Sequence, residues 1–580
     1  MGLLQLRTGL FIGLLSWQMV AHCESVINWD INGVNDQQQS NIRLYLEGSR
    51  FDCQSIRTPN SRQRQAVRDQ VRLAMQPFGY FNPDTTINSP LGSDCQPIRL
   101  TIDPGQVTLI SQLNLEITGE GADLPWWQEA AKNHQLQVGK PLIQSAYEAV
   151  KKKWLNQADE LFYQDAGFTV QQIRVQADTN QAAVELSFNT GIRYRLKNIT
   201  IKEEPAVLDN DLLNHLLPLE SGQYISRSEL YDVQQKLNSS GYFNQVLFDV
   251  RQDEHFAATL DLVVMLSPAA KFDYSAGVGF STDAGAKASF QYNNHRVNKM
   301  GHQYQLNLQG SELASDLNMS YKIPAQQNPT NQWYGLHLAY KDEETDQVSR
   351  EIRKWGISET RISDNHWQNI NFLDWVQESF DTGVASGKTV LYVPGTSWSL
   401  TQADDVSRPY RGYRMQAELK LASTDLLSDA SFAQFTFNGK YIHGLGEAGR
   451  LLYRMQLGST ATSDFEQLPT SYRFYAGGDQ SIRGFDYEQV TPRNEQGDAI
   501  GGKHLLTGSV EYEHPLAAQW AAAVFTDFGD AFSKELDFKQ SVGAGIRWFS
   551  PIGPIRLDLA KSISQDNASY RLHITVGPDL

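Results

Sequence analysis

Residues 413–421 read YRMQAELKL, and residues 433–441 read AQFTFNGKY. In the first stretch Tyr413, Met415, Ala417, Leu419 and Leu421 alternate with Arg414, Gln416, Glu418 and Lys420. Successive strand side chains point to opposite faces, so a period of two marks a half-apolar strand rather than a helix. The same alternation runs through KFDYSAGVGF (271–280), where Phe272, Tyr274, Ala276, Val278 and Phe280 share a face, and through QYQLNLQ (303–309). A soluble sheet with one wet face would alternate too. Here the apolar faces carry Tyr and Phe at their ends, as lipid-interface girdles do, while the opposite faces carry runs of charge and amide. The pattern therefore predicts a transmembrane antiparallel β-barrel over residues 267–580. An open sheet edge is untenable in hydrocarbon, so the sheet must close. At ~20 residues per strand and connection this region holds about 16 strands, an even number as in bacterial barrels. Polar inward faces imply a wide, wet interior.

The bulk composition permits this reading. The 580 residues are only 41% hydrophobic with mean hydropathy -0.43, yet aromatics reach 11% and glycines number 43. A barrel needs an apolar residue only at every second strand position, so such a mixture suits it. The length alone suggests about three or four domains. A net charge of -16 argues against a nucleic-acid partner, which needs a basic face.

Upstream, MGLLQLRTGLFIGLLSWQMVAHCES (1–25) has one basic residue, Arg7, an apolar run from Leu10 to Val20 and a small-residue exit. This reads as a secretory signal peptide over residues 1–23. His22 before Cys23 fits a lipoprotein signal poorly. The remaining Cys53 and Cys95 are compatible with one disulfide in an exported chain, although spacing does not fix the pairing. No later apolar run approaches the ~18 residues of a membrane helix.

Between the signal and the barrel the pattern is α+β. Three helix-like segments each run into a Gly-aromatic corner and then a strand: PFGYFNP (77–83), DAGFTV (165–170) and SSGYFNQV (239–246). Gly79, Gly167 and Gly241 recur at roughly 80-residue spacing, which marks a repeated module. Each glycine is expected to turn the chain out of its helix. The second helix is expected to bury Leu142, Ala146, Ala149, Val150, Leu155 and Leu161, and the third Leu230, Val233 and Leu237. Lys151 to Lys153 read as a solvated helix face. Module boundaries are expected at 24–106, 107–190 and 191–266.

Within the barrel region lies YAGGDQSIRGFDYE (475–488), a lone arginine set among glycines. Its SIRGF core resembles the (V/I)-R-G-(F/Y) loop motif of the outer-membrane assembly factors that carry periplasmic POTRA domains. VFTDFGDAF (524–532) is similar to their F-x-D-x-G strand motif, through Phe525, Asp527 and Gly529. TGSVEYEHPL (507–516) and GAGIRWFSPIGPIRLDLA (543–560) resemble the neighbouring late strands. Within that superfamily the resemblance is nearest the TamA branch, the outer-membrane subunits of the translocation and assembly module. FYAGGDQSIRGF (474–485), the terminal VGPDL (576–580) and the three modules carry it.

The resemblance implies that the Arg483 loop folds back into the lumen. An arginine in a partly desolvated site needs carboxylates in fork geometry. Asp527 is the leading partner and Glu511 the second. Gly477, Gly478 and Gly484 would let the loop turn and approach the wall, with Ile482 completing the motif and Phe485 seating the tip. The expected role is structural and gating, and charge reversal at Arg483 should be partly rescued by reversal at Asp527.

The first strand, with Tyr274, Ala276 and Val278, must meet the last, SYRLHITV (569–576), whose Tyr570, Leu572, Ile574 and Val576 form the expected lipid face. Gly577 and Pro578 would cut that pairing short. A short-paired seam is a latent sheet edge, able to accept client strands by β-augmentation. The resemblance further implies client outer-membrane proteins, outer-membrane lipid and a TamB-like inner-membrane-anchored protein as partners. It implies location in the outer membrane of a Gram-negative bacterium, with the modules in the periplasm.

Other classes fare worse. FDTG (380–383) resembles the aspartic-protease D-T-G, but it lies among alternating strands without a second copy. No H-E-x-x-H, G-x-S-x-G or zinc-spaced cysteine set is present. The expectation is therefore no enzyme, and no catalytic, cofactor or metal residues. A passive porin would not explain the modules or the arginine loop. A two-partner-secretion transporter would carry two POTRA domains and a plug helix, against three modules and no clear plug here.

Overall fold

The computed structural model describes residues 27–51, 56–59, 61–88, 97–253, 258–382, 386–405, 408–550, 553–565 and 570–576. The expected signal peptide, Cys53, Cys95, Gly577 and Pro578 lie outside them. The chain forms two compact units. The first runs through Lys197 with Gly222–Ser228 and Gln252–Leu260; the second comprises Asn198–Ser221, Glu229–Arg251 and Asp261–Leu580.

The first unit contains two three-stranded sheets. In one, Ile98–Asp103 lies between a parallel Trp29–Asn32 and an antiparallel Asp84–Asn88. Helices Asp36–Glu47 and Arg62–Met75 complete this module. Asn35 caps the first helix through a reciprocal bond with Gln38, satisfying otherwise orphaned N–H groups. Trp29, Ile42, Val67, Val71 and Leu100 pack as its core.

In the other sheet Gln181–Asn189 lies between a parallel Leu109–Thr118 and an antiparallel Gly167–Gln176. The long helix here, Gln144–Glu160, buries Ala146, Tyr147, Val150, Trp154 and Ala158. Ala149 and Leu155, expected inside, are exposed, and Leu142 precedes the helix. The actual stripe follows the 3.6-residue repeat through Trp154, which stacks on Phe168 at 6.0 Å. The expected glycine turn also differs at this corner. Gly79 and Gly241 take positive φ, but here the left-handed residue is Phe162, five positions before Gly167. Phe162 is fully buried beneath the Arg227 guanidinium, 4.9 Å from its ring centre, so tertiary packing holds an unfavourable backbone angle.

A third sheet, ordered Arg195–Glu203, Thr259–Pro268, Phe243–Gln252, belongs mostly to the second unit. Helix Arg227–Ser239 buries Leu230, Val233 and Leu237, as its spacing predicts. This module is joined directly to the first turn of the barrel on its own side. The buried Tyr242 hydroxyl donates to Gly301 O at 2.6 Å, the Gln303 amide donates to Ser240 O at 3.0 Å, and Asp209 N donates to Lys299 O at 2.9 Å.

The remaining sheet has sixteen strands, each antiparallel to its sequence neighbours, from Phe272–Ser281 to Tyr570–Val576. Outward positions carry Leu336, Ile357, Met415 and Leu421, all exposed. Aromatic pairs cross between strands: Tyr441 and Tyr453 at 6.0 Å, Trp520 and Trp548 at 5.8 Å, Trp355 and Trp375 at 6.2 Å. Such apolar outer faces with aromatic rings are what a barrel presents to lipid. FDTG falls at the end of strand Gln368–Asp381, with Gly383 outside the described residues.

Two expectations need correction. The interior is not an empty channel, because the long connection between strands Arg450–Ala461 and His504–Ala517 seats Thr470, Arg483 and Glu488 against inward residues of the wall. The first strand does not show a single exposed face. Every residue from Phe272 to Phe280 is exposed, Tyr274 at 77% and Val278 at 92%. Beyond Asp273 its inward positions are small (Ser275, Gly277, Gly279), and among the described residues a Cβ on Gly279 would meet no atom within 4 Å. Among the described residues no backbone ladder joins this strand to the sixteenth, so the barrel is nearly closed.

Candidate functional site

The site arises from strand alternation. Ser509, Glu511 and Glu513 lie two apart on strand His504–Ala517, and so share its inward face. Phe525 and Asp527 do so on strand Trp520–Phe532, Gly543, Gly545 and Arg547 on strand Lys539–Ser550, and Arg556 and Asp558 on strand Gly553–Ser562. Register then juxtaposes them: Ser509 faces Asp527, Glu511 faces Phe525, and Gly545 faces Asp558.

Onto this wall the loop lowers Arg483, itself 4% exposed. Its Nε donates to Asp527 Oδ2 at 2.7 Å and its Nη2 to Asp527 Oδ1 at 2.9 Å, a two-pronged fork. The Arg483 backbone N–H donates to the same Oδ2 at 3.0 Å. Nη1 donates to Glu511 Oε2 at 2.8 Å and Asp558 Oδ2 at 3.0 Å, and Nη2 to Ser509 Oγ at 3.2 Å. The guanidinium also lies 3.3 Å from the centre of the Phe525 ring. Every face of the cation is thus engaged, as burial of a charge demands.

A second arginine balances the surplus carboxylates. Fully buried Arg547 donates through Nη2 to Glu511 Oε1 at 2.6 Å, through Nη1 to Asp558 Oδ1 at 2.6 Å and through Nε to Glu513 Oε1 at 3.2 Å. Arg450 pairs with Glu513 at 2.6 Å. Glycines make the room: a Cβ on Gly543 would lie 2.2 Å from the Phe525 ring, and one on Gly545 would lie 1.9 Å from Asp558 Oδ1. Gly484 has φ +91 and passes so near the wall that a Cβ would meet Ser562 N at 3.1 Å. Ile482 and Phe485 are both buried, packing with Ala476, Val490 and Ala531.

The loop is tied elsewhere as well. Thr470 Oγ1 donates to Glu378 Oε1 at 2.6 Å and Ser471 N to the same oxygen at 3.1 Å. Arg350 Nη2 donates to Glu488 Oε1 at 3.0 Å while its Nε donates to Glu343 at 2.5 Å. Asp486 pairs with Arg571. The tethers therefore reach strands Gln332–Glu344, Ser349–Ile362 and Gln368–Asp381 as well as the late strands.

At the seam, Tyr570, Leu572 and Val576 are exposed, and the Ile574 N–H donates to Thr282 Oγ1 at 3.2 Å. The motif residues Gly477, Gly478 and Gly529 all take positive φ. Sequence reading placed Asp527 and Glu511 near Arg483 but assigned no role to Asp558, Arg547, Ser509, Glu378 or the Arg350–Glu488 pair. Two of these were within reach, since Arg547 and Asp558 stand in the quoted stretch 543–560 at inward positions of alternating strands.

Comparison with known proteins agrees with this architecture. The Omp85 superfamily domain profile matches residues 269–579, and the profile "POTRA domain TamA domain 1" matches residues 28–104. The outer membrane protein assembly factor BamA of Neorickettsia risticii is 22% identical over 401 residues, 64% of this chain and 53% of that protein. BamA of Nitratidesulfovibrio vulgaris is 26% identical over 179 residues, 29% of this chain and 23% of that protein. The chain thus spans about half the length of the first of these relatives and less of the second. The crystal structure of BamA from Haemophilus ducreyi lacking POTRA domains 1-3 shares the fold with a TM-score of 0.64 at 16% identity, over 81% of this chain and 99% of that one. With more than half its length matched by one domain profile, and a POTRA domain ahead of a nearly closed sixteen-stranded barrel, this chain belongs to the Omp85 superfamily.

Proposed function

We propose that this protein is an outer-membrane factor of the TamA branch that helps insert or secrete β-barrel and autotransporter-type proteins. It acts without enzymatic chemistry, through the seam between its first and last barrel strands. Residues 24–106, 107–190 and 191–266 serve as three periplasmic POTRA modules, and a TamB-like inner-membrane-anchored protein engages them. The carrying observation is the first strand, exposed from Phe272 to Phe280 and without a ladder to the sixteenth among the described residues. Unpaired N–H and C=O groups at a sheet edge template an incoming strand. The TamA-type profile over residues 28–104 supports the branch. The arginine-pinned loop across the lumen argues against a passive channel, because free permeation needs an open bore.

The test is a reversible disulfide across the seam, pairing positions near Ala276 with positions near Ile574 in several registers. Assembly of a reporter outer-membrane protein is followed before and after reduction. Loss of assembly that returns on reduction is expected. Normal assembly by a fully cross-linked barrel would sink the seam mechanism.

A further inference from the structure

Where the first hairpin, the lumen loop and the last strand converge, two carboxylates meet, and among the described residues no Lys or Arg pairs directly with either, Lys287 acting on Asp283 only through its charge. Asp479, next to the glycines of the loop motif, is 6% exposed. Its Oδ1 accepts from Thr282 Oγ1 at 3.1 Å and lies 2.6 Å from His573 Nδ1. Its Oδ2 is buried and receives no donor. Asp283, in the hairpin after the first strand, accepts from Asp479 N through Oδ2 at 2.6 Å. Asp283, Asp479 and His573 offer ligand atoms that all lie within 4.8 Å of one another.

His573 does not neutralise this pair. The Gly484 N–H donates to its Nε2 at 2.9 Å, so Nε2 bears a lone pair and the ring proton sits on Nδ1, facing Asp479. The imidazole is therefore a neutral donor. A buried carboxylate oxygen without a partner is costly unless a donor or cation completes it.

We propose that Asp479 and Asp283 hold a hard divalent cation, Ca2+ or Mg2+, with His573 orienting Asp479 from behind. Oxygen-only donor sets of one or two carboxylates select these ions, which complete their shells with water. With both ring nitrogens of His573 engaged, the softer imidazole-ligated metals are disfavoured. A carboxylate ligand fixed by a histidine N–H has the outer support usual at metal sites. The cation would join the first hairpin, the loop and the sixteenth strand, stapling the seam at the end remote from the third module. The site does not depend on the identity of any client or partner.

Purified full-length protein in detergent micelles, stripped of metal and transferred to chelator-free buffer, is titrated calorimetrically with CaCl2 and with MgCl2. Wild type is expected to bind one of these ions saturably, and Asp283→Asn to lose that binding. His573→Gln is expected to weaken it by about 10–100-fold. No saturable binding by wild type, or wild-type affinity in Asp283→Asn, overturns the site; undiminished affinity in His573→Gln overturns the orienting role. Asp283→Asn sits in a partly exposed hairpin, and its folding is checked independently by the heat-dependent mobility of the barrel on gels. Spin labels at the exposed positions Val278 and Leu572 report the staple. Their distance distribution should narrow with the ion in wild type and not in Asp283→Asn, whereas an unchanged wild-type width overturns the staple.

Discussion

At the scale of single residues, Arg483 differs from an ordinary ion-paired arginine because its partners come from three strands. Asp527, Glu511 and Asp558 all accept from it, and Arg547 holds two of the three from the other side. Removing one member of a buried ionic network leaves uncompensated charge and costs about 3–5 kcal/mol. Arg483→Ala should therefore lower the temperature at which the barrel loses its folded mobility on a semi-native gel. Arg483→Lys should lie between, since an ammonium cannot make the fork on Asp527. The simple swap, Arg483→Glu with Asp527→Arg, is expected to recover little of that temperature. Glu511 and Asp558 would then face a third carboxylate. Full recovery by the swap would mean that Asp527 alone carries the pairing.

At the scale of elements, the loop is stitched to the wall at intervals, so its parts should loosen separately. Glu378 receives Thr470 and Ser471 well away from the Arg483 node. Glu378→Ala should make the segment 462–475 more readily cut by protease while leaving the barrel's unfolding temperature near wild type. A large fall in that temperature would show that the two tethers act as one. A second element-level coupling joins the third module to the barrel. Tyr242→Phe removes the donor to Gly301 O, and a buried acceptor left unmade costs about 1–3 kcal/mol. Faster amide hydrogen exchange around residues 298–303 is the expected readout, with exchange in the late strands unchanged.

At the scale of the whole molecule, the loop makes the difference between a plugged barrel and a pore. Polar inward faces alone predict a conducting lumen, and the tethered loop predicts its closure. Deleting residues 477–489 should therefore convert a poorly conducting protein into one with large, steady channels in planar bilayers. If intact protein already conducts like the deletion variant, the loop is not the barrier.

Much of this was written in local periodicity. The alternation at 413–421 and its repeats specify strands, and their aromatic ends specify lipid, because both follow from backbone geometry and solvent within a few residues. The helical stripe at Leu230, Val233 and Leu237 was equally legible. Where Trp154 replaced Leu155 in the buried stripe, and Phe162 rather than Gly167 took the left-handed turn, the deciding force was packing against distant strands. The arginine site divides in the same way. Its motif named Arg483 and Asp527, but the roles of Asp558 and Arg547, and the meeting of Asp479 with Asp283 and His573, depend on strand register and on how far the loop descends. The sequence by itself determined that there would be strands, a membrane-facing side and a buried arginine. Only the tertiary structure decided which carboxylates surround that arginine and that, among the described residues, no ladder joins the first strand to the sixteenth, because cross-strand register and loop closure join residues tens to hundreds of positions apart, beyond the reach of any local pattern.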